Sequence, residues 1–310
     1  MRPGTPPAAE ATPAPHLGDW TVAVIGLGTM GAAMAHRLAD TGCSLRVFNR
    51  SPQRAQQFAD ERKAVAAATP AAAADGADVV LVSVADDDAL RQVLRGPAGV
   101  AAAAVAPRLV INTSTVAAAT LNDLADYLPL IAAGILGNAI HARQGQLRWY
   151  VGGPAELADL AIPVVQALAQ QILRFDAPAS GMHLKIAMNL LMGLEMQALA
   201  EVVRLGESAG LPRDLLLDAV SQSGFAAPVM RFKARRMATD HYGDPDFRLR
   251  LMAKDLSLAV AQAARTGTDL PMTRVAADTH ADATAAGYGD ADCAAILQSL
   301  HSAATEGMHA

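Results

Sequence analysis

Short apolar runs alternate with longer amphipathic segments through the first half of the chain. Each run is mainly apolar and only four to six residues long, which is typical of a parallel strand buried on both faces. The predicted strands are Thr21–Ile25, Leu45–Phe48, Val79–Val84, Leu109–Asn112, Arg148–Val151 and Ile172–Phe175. Helical segments fall between the strands, among them Met30–Asp40 and Pro52–Arg62. Strands that alternate with helices form βαβ units, so the pattern predicts an α/β domain with a mostly parallel sheet.

The pattern changes after Pro178 to long stretches with helical periodicity. Residues 181–206 contain no proline, and apolar side chains occupy most of the circumference of the helix that this stretch predicts. Three further helices are predicted at Leu211–Ser221, Phe247–Arg265 and Met272–Ala286. The second part of the chain is therefore predicted to be an all-helical domain.

Length and composition bound the number and class of domains. A chain of 310 residues is long enough for about two domains, and 52% hydrophobic residues allow a sizeable core. We predict a flexible Pro- and Ala-rich tail over residues 1–19, an α/β domain over 20–179 and a helical domain over 180–310. The formal net charge of −5 argues against a dedicated nucleic-acid binder, which normally has a basic domain.

No segment has the pattern of a secretion signal or a membrane anchor. The tail lacks the apolar core of a signal peptide. No apolar run reaches the roughly 18 residues of a membrane span without a charge or a turn residue. The two cysteines, Cys43 and Cys293, are far apart in the sequence, which suits a reduced cytosolic protein better than a disulfide scaffold. We expect a cytoplasmic protein with no membrane partner and no metal site.

A glycine-rich loop follows the first predicted strand. The sequence Gly26-Leu27-Gly28-Thr29-Met30-Gly31 fits G-x-G-x-x-G, and it follows a strand and opens a helix, as dinucleotide-binding loops do. Gly26 allows the tight turn, Gly28 lets the backbone approach a pyrophosphate, and Gly31 lets the helix pack closely on the strand. Free N–H groups at the helix N-terminus then face the phosphates. The motif predicts a Rossmann-type doubly wound sheet that binds a dinucleotide through these six residues.

The end of the second predicted strand indicates which dinucleotide is bound. A site for NAD usually has an acidic residue here that binds the ribose 2′-hydroxyl, whereas this chain has Asn49, Arg50 and Ser51. Arg50 can pair with a 2′-phosphate, and Asn49 and Ser51 can donate hydrogen bonds to it. The three residues therefore favour NADP(H).

Lys185 and Asn189 form a second candidate site in the long predicted helix. They are four residues apart, so they lie on one face of the helix. Most of their neighbours are apolar, and an ammonium group in such surroundings is costly unless it is paired or used. Desolvation lowers the pKa of an ammonium group toward the range that suits proton transfer. The spacing alone fits equally well a lysine that extends to water beside a surface asparagine.

Taken together, the motifs resemble those of the β-hydroxyacid dehydrogenases, and the resemblance covers the chain from Trp20 to about Leu300. Four segments carry it, in the order that the family has. They are Gly26 to Gly31, Asn112-Thr113-Ser114-Thr115-Val116, Gly181 to Asn189, and Lys254-Asp255-Leu256-Ser257-Leu258-Ala259. Four segments in the right order are far more specific than any one of them alone.

The resemblance implies a role for each candidate residue. Lys185 would be the general acid when a carbonyl is reduced and the base in reverse, and Asn189 would orient Lys185 and the substrate. Ser114 would hydrogen-bond the substrate carboxylate, whereas Asp255 would be structural. Four further residues would contact the cofactor: Val84, Ala85, Thr115 and Lys254.

One segment departs from the pattern of the family. Family members usually carry D-A-P-V-S-G-G in the substrate loop, whereas this chain has Ala132-Ala133-Gly134-Ile135-Leu136-Gly137-Asn138. Leu136 replaces the serine and Asn138 the second glycine, and both positions normally help to bind the substrate carboxylate. The substrate is therefore expected to differ from a simple small hydroxy acid.

Three functions remain open on these grounds. The first is an NADPH-dependent oxidoreductase that acts on a small carbonyl or hydroxy acid, such as a semialdehyde. The second is a related imine reductase, which the altered 132–138 segment keeps open although Lys185 argues against it. The third is a non-catalytic scaffold that binds the cofactor, which Lys185 and Asn189 disfavour. The apolar circumference of the 181–206 helix and the family resemblance also predict a homodimer.

Overall fold

The computed structural model describes residues 16–307. The chain divides into two compact units, residues 1–185 and 186–310. Residues 1–15 of the predicted tail lie outside the described residues. Leu17 is buried, and its N–H donates to the carbonyl of Thr41 at 2.8 Å. Packing in the first unit thus includes the residues just before the first strand.

The first unit contains one eight-stranded sheet. Every pair of neighbouring strands is parallel except β6 and β7, which are antiparallel. The spatial order β3-β2-β1-β4-β5-β6 is that of a doubly wound nucleotide-binding sheet, extended by β7 and β8. The strands are β1 Thr21–Ile25, β2 Ser44–Phe48, β3 Val65–Ala66, β4 Val79–Val82, β5 Leu109–Asn112, β6 Leu130–Leu136, β7 Leu147–Gly152 and β8 Ala169–Phe175.

The helices of the first unit connect the strands, and the resulting core is built from apolar side chains of both layers. Strands β1, β4 and β5 are buried along almost their whole length, as their continuous apolar runs predict. The main core cluster includes Val24, Leu38, Leu81 and Trp149. The helices are α1 Thr29–Ala39, α2 Pro52–Arg62, α3 Pro70–Ala74, α4 Asp87–Arg95, α5 Ala118–Ala125, α6 Ala139–Gln144 and α7 Ala155–Leu168.

The predicted α/β class and the parallel sheet are confirmed, but the prediction missed two strands. The short edge strand β3 has only two residues, too few to show a period. The larger omission is β6, whose small residues Ala132, Ala133 and Gly134 give a weak strand signal. The predicted strand Val79–Val84 ends two residues early, at Val82, because the chain there leaves the sheet to form the loop above it.

A single helix, α8 Pro178–Ser208, links the two units, and α9 to α13 complete the second. The core of the second unit includes Met196, Leu256 and Ile296. Helix α10 was not predicted, because three of its eleven residues are arginine and its mean hydropathy is low. The helices are α9 Arg213–Gln222, α10 Pro228–Ala238, α11 Leu249–Thr266, α12 Pro271–Ala283 and α13 Ile296–Gly307.

One stretch of α8, Ala179–Ser208, is long and apolar enough to cross a membrane by length and composition, with a mean hydropathy of 1.4. The central helix of a water-soluble protein passes the same test, so this property alone is weak evidence. Met196, Leu199, Ala200 and Val203 of this helix are buried in the core of the second unit. Part of its apolar surface is thus used in packing.

Candidate active site

The glycines of the phosphate-binding loop fulfil two different steric requirements. Gly26 has a φ of 95°, and a Cβ atom there would overlap the carbonyl oxygen of Ser83. A Cβ atom at Gly31 would overlap the carbonyl oxygen of Gly26. Both positions therefore require glycine for packing inside the protein. At Gly28, by contrast, a Cβ atom would meet nothing within 4 Å, so the space over this residue is open to a ligand.

The start of α1 has the properties of a phosphate site. Gly28 is the N-cap residue and provides no side-chain cap, and the first turn has no acidic residue. The N–H groups of this turn are therefore left for an anion, which the helix dipole also favours. Thr29 is exposed and Met30 partly buried, whereas Leu27 is buried. The open space over Gly28 and the uncapped helix together fit the pyrophosphate of a dinucleotide.

Asn49 anchors the phosphate loop from the end of β2. Its Oδ1 accepts the N–H of Leu27 at 3.0 Å, and its Nδ2 donates to the carbonyl of Ser51 at 3.2 Å. The Ser51 hydroxyl donates to Gln53 at 3.1 Å. Arg50 is exposed beside them. The three residues predicted to recognise a 2′-phosphate are thus adjacent to the loop, with Asn49 already engaged in holding it.

Arg54 is a second cation at this loop, which sequence reasoning missed. One of its guanidinium nitrogens lies 3.4 Å from the carbonyl oxygen of Leu27. It follows Arg50 by four residues, and both are exposed. The spacing was a usable signal, because Arg54 lies in the first turn of α2, directly after the predicted 2′-phosphate residues.

The loops after β4 and β5 are joined through Ser114. Its Oγ accepts the N–H of Val84 at 2.9 Å, so the hydroxyl proton can be donated elsewhere. The backbone of Ser114 is held by Asn112, whose side chain accepts from its N–H and donates to its carbonyl. Ser114 is 3% exposed, Thr115 and Val84 are partly buried, and Ala85 is exposed. The structure therefore brings these four predicted residues together at the carboxyl edge of the parallel strands.

Close backbone packing places Lys185 against the sheet. A Cβ atom at Gly181 would overlap the carbonyl oxygen of Tyr150, so the start of α8 lies directly on β7. A Cβ atom at Gly134 would lie 2.7 Å from the Cβ atom of Lys185 and 2.7 Å from the carbonyl oxygen of Gly181. The two glycines thus let α8 approach β6 and β7, and Lys185 is partly buried beside Gly134.

Asn189 is fixed by a carboxylate inside the second unit. Its side-chain amide nitrogen donates a hydrogen bond to Oδ2 of Asp255. The other oxygen of Asp255 accepts from Nζ of Lys254 at 2.7 Å. Asn189 is 2% exposed and Asp255 1% exposed. Asp255 therefore links two predicted site residues, Asn189 and Lys254.

The departure from the family pattern has a local structural use. The side-chain oxygen of Asn138 accepts the N–H groups of Ile140 and His141, and Nδ1 of His141 accepts the N–H of Asn138. This reciprocal pair caps the N-terminus of α6. Leu136 ends β6 as a partly buried apolar residue. The side-chain oxygen of Asn138 is thus committed to the backbone of α6, and Leu136 offers no polar group.

The predicted site residues form two groups, each within its own unit. The first unit holds the phosphate loop, the residues after β2, the Ser114 cluster and Lys185, and the second holds Asn189, Asp255 and Lys254. Lys185 and Asn189 are one turn apart on the continuous helix α8. The anchoring role of Asp255 had no sequence signal, because its partner lies 66 residues away in the chain.

Two family models together match almost the whole described chain. The model described as the NAD binding domain of 6-phosphogluconate dehydrogenase matches residues 21–177. The model described as "NAD-binding of NADP-dependent 3-hydroxyisobutyrate dehydrogenase" matches residues 179–300. The second match begins at α8, so the long apolar helix belongs to a domain of dehydrogenases.

Curated relatives and a solved structure agree with these matches. An L-threonate dehydrogenase of Cupriavidus necator is 31% identical over 283 residues, which are 89% of this chain and 95% of the relative. A 3-sulfolactaldehyde reductase of Escherichia coli is 30% identical and covers 90% of this chain and 95% of its own. The crystal structure of a 3-hydroxyisobutyrate dehydrogenase from Salmonella typhimurium superposes with a TM-score of 0.81 at 28% identity, covering 90% of this chain and 99% of that chain.

Imine reductases share the fold. The structure of an imine reductase from Streptomyces aurantiacus superposes with a TM-score of 0.57 at 23% identity, over 89% of this chain and 98% of that chain. At this identity the likeness extends to the fold alone. The relatives that are 30% identical or more include dehydrogenases and reductases that act on hydroxy acids or aldehydes.

Proposed function

Because the chain belongs to the β-hydroxyacid dehydrogenase family of NAD(P)-dependent oxidoreductases, we propose that it transfers hydride between NADP(H) and a small carbonyl or hydroxy acid, with Lys185 as the general acid and base. The observation that carries this proposal is the pair Lys185 and Asn189, one turn apart on α8, with Asn189 anchored by Asp255. Semialdehydes are the substrate class we place first.

NADP(H) is the proposed cofactor. The phosphate loop Gly26–Gly31 and the uncapped start of α1 fit its pyrophosphate. Arg50 and Arg54 are exposed cations beside this loop, and residues 49 to 51 include no acid that would repel a 2′-phosphate. Asn49 and Ser51 complete the 2′-phosphate region. Val84, Ala85, Thr115 and Lys254 are the further residues that we assign to cofactor contacts.

The proton chemistry falls to Lys185. NADPH, when bound, would supply a hydride for the carbonyl carbon of the substrate. Negative charge then develops on the carbonyl oxygen, and the Lys185 ammonium donates the proton that completes the alcohol. A positioned acid of this kind contributes about 10²–10⁴-fold to the rate. In the oxidative direction neutral Lys185 accepts the proton of the hydroxyl group.

Asn189 and Ser114 position the reacting groups. With its amide nitrogen bonded to Asp255, Asn189 keeps its amide oxygen free to accept a hydrogen bond from a donor one turn away, where Lys185 lies. Ser114 accepts the N–H of Val84, so its hydroxyl proton can be donated to the substrate carboxylate.

A substrate panel tests the proposed reaction. Purified enzyme is mixed with NADPH and, in turn, with semialdehydes, glyoxylate-type acids and cyclic imines, and the loss of NADPH absorbance is followed. Turnover of a carbonyl acid that exceeds turnover of every imine supports the proposal. The imine reductase function is the second candidate, because Leu136 and Asn138 leave the usual carboxylate contacts unfilled. Faster turnover of imines would overturn the carbonyl assignment.

We further propose a homodimer formed through the second unit. Five apolar residues of α8 lie along one side of the helix and are exposed: Ala187, Leu191, Ala198, Val202 and Leu205. Leu205 is 74% exposed. Single exposed apolar side chains are common, but a row of them on one helix is unusual in a monomer. A second copy of the same helix would bury the stripe. Light scattering at micromolar concentration tests this, and a monomer would contradict it.

We place the enzyme in the cytoplasm. Its two cysteines are both free thiols, with Cys293 buried and Cys43 partly buried. Burial raises the pKa of Cys293 to about 12 and also raises that of Cys43, so neither thiol is a ready nucleophile. Fractionation of the source cells with detection of the enzyme checks the location.

A further inference from the structure

Arg148 stands at the same sheet edge as the candidate active site. It lies near the start of β7, directly opposite Leu136 at the end of β6. Because β7 is antiparallel to β6, the start of β7 shares the edge at which the parallel strands end. That edge carries the phosphate loop after β1 and Ser114 after β5.

Arg148 also projects from the same face of the sheet as Lys185. Gly134 faces α8, since a Cβ atom there would lie 2.7 Å from the Cβ atom of Lys185. Alternate residues of a strand share a face, so Leu136 lies on this face about 7 Å further along β6. Residues directly opposite each other in antiparallel strands share a face as well, which places Arg148 beside Leu136. Trp149 points to the other face and is buried in the core there.

The guanidinium of Arg148 has no bonded partner in this region. Arg148 is exposed, and it makes no hydrogen bond or ion pair with another residue of 16–307. The side chains nearby do not occupy the guanidinium: Leu136 is apolar, and the acceptor atoms Oδ1 of Asn138 and Nδ1 of His141 are used to cap α6. An arginine presents five N–H donors in a fork that matches a carboxylate or sulfonate.

We propose that Arg148 binds the anionic group of the substrate while Lys185 protonates the carbonyl oxygen at its other end. The inference rests on the proposed function, because it takes Lys185 as the reacting end of the site. It assigns the substrate to the carbonyl acids whose carboxylate or sulfonate is separated from the carbonyl by a short carbon chain. Arg148 is thereby a specificity residue and takes no part in proton transfer.

Binding of non-reacting anions tests the proposal without turnover. The probes are malonate, succinate and 3-sulfopropanoate, titrated by calorimetry into the enzyme saturated with NADP⁺, with neutral succinamide for comparison. We expect the wild-type enzyme to bind at least one anion and not succinamide. Arg148→Gln should raise the dissociation constant of that anion about ten- to a hundredfold, as expected for the loss of a charge-assisted hydrogen bond. The relative affinities of the three probes distinguish a carboxylate site from a sulfonate site.

Arg143→Gln is the matched control. Arg143 is an exposed arginine of α6, which packs against α1. Burial first, and then the charge of Arg143, lower the pKa of His36 in α1. Arg143 therefore lies on the side of the sheet away from Lys185. Anion affinity in Arg143→Gln should equal that of wild type. Arg148→Lys, which keeps the charge without the fork, should fall between wild type and Arg148→Gln.

Several outcomes would overturn the anion site. They are failure of the wild-type enzyme to bind any of the three anions, equal affinities in wild type and Arg148→Gln, and an equal loss in Arg143→Gln. These results are distinct from failure of the proposed function, which would appear as full turnover by Lys185→Ala. If Lys185→Ala is inactive and Arg148→Gln binds the anions as tightly as wild type, the anion site alone is refuted.

Discussion

The side-chain amide of Asn189 donates a hydrogen bond to the carboxylate of Asp255, and both groups are buried. Asp255 also accepts from Lys254 at 2.7 Å. Because Asn189 and Asp255 are both buried, the Asn189 amide cannot readily exchange this bond for one to water, whereas Lys254 is only partly buried. Asp255 thus positions Asn189, which lies one turn from Lys185 on the same helix. The family resemblance had assigned Asp255 a structural role only.

Asp255→Asn should lower kcat at least about tenfold with a smaller change in the KM of the substrate. The amide that replaces the carboxylate loses charge-assisted bonds and destabilises the folded state by about 1.5–3 kcal/mol. Steady-state kinetics at saturating NADPH, well below the unfolding temperature, separates kcat from KM. Ser257→Ala is the control, because this serine is exposed and its hydroxyl donates to the carbonyl of Ala253 in its own helix. A variant that is less stable but fully active would show that Asp255 is purely structural.

Two glycine variants separate cofactor binding from folding. Gly28→Ala should leave the melting temperature nearly unchanged, because the added Cβ atom meets no protein atom within 4 Å. The same Cβ atom should weaken NADPH binding about tenfold or more, because it contacts the pyrophosphate. Gly31→Ala should destabilise the protein, because its Cβ atom would overlap the carbonyl of Gly26. Thermal unfolding and NADPH fluorescence titration measure the two effects. Wild-type NADPH affinity in Gly28→Ala would refute the assigned position of the pyrophosphate.

Arg50→Ala should lower the affinity for NADPH about tenfold or more and leave that for NADH nearly unchanged, since only NADPH carries the 2′-phosphate. Arg50→Ala with Arg54→Ala should lower it further, because both cations lie beside the phosphate loop. Arg265→Ala removes an exposed arginine in the last turn of α11 and serves as the control. An equal loss of affinity for both cofactors, or a wild-type preference for NADH, would contradict the NADP(H) assignment.

The stability of the protein should decrease below about pH 6.5, in part because of His280. This residue is fully buried, and burial lowers its pKa below the ordinary value of 6.5. Below pH 6.5, His280 therefore binds a proton in the unfolded chain but not in the folded protein. The contribution of His280 to the free energy of unfolding is thus complete above pH 6.5 and falls as the pH drops toward the folded pKa. Denaturant unfolding from pH 8 to pH 5 should show a shallower decline in His280→Met than in wild type. Parallel curves for the two proteins would show that His280 has no part in the effect.

The sequence predicted the features that depend on local pattern. The alternation of apolar runs and helices, the glycine loop and the one-turn spacing of Lys185 and Asn189 are all readable without tertiary structure. The residues that were missed depend on contacts between distant segments. Asp255 gains its role from a partner 66 residues away, and Arg148 stands opposite Leu136 only because β6, itself unpredicted, pairs with β7.

The departure at residues 136–138 shows a further limit of sequence comparison. From sequence, Asn138 is a lost glycine in a substrate loop, whereas the structure shows its side chain capping α6. The same substitution thus has a stabilising use that the motif does not reveal. Gly134, which the motif comparison passed over, allows the close approach of Lys185 to β6.

The turnover of Lys185→Ala on the substrate that the panel identifies decides whether Lys185 is the proton donor. Loss of the proton donor should lower kcat by at least about a hundredfold while the NADPH dissociation constant stays nearly unchanged. Lys185→Arg should also fail, because a guanidinium does not release a proton near neutral pH. Lys63→Asn removes a distant lysine that ends α2 in a left-handed conformation, which asparagine tolerates, and should keep full activity. Near-full turnover by Lys185→Ala would contradict the assignment of Lys185 as the proton donor.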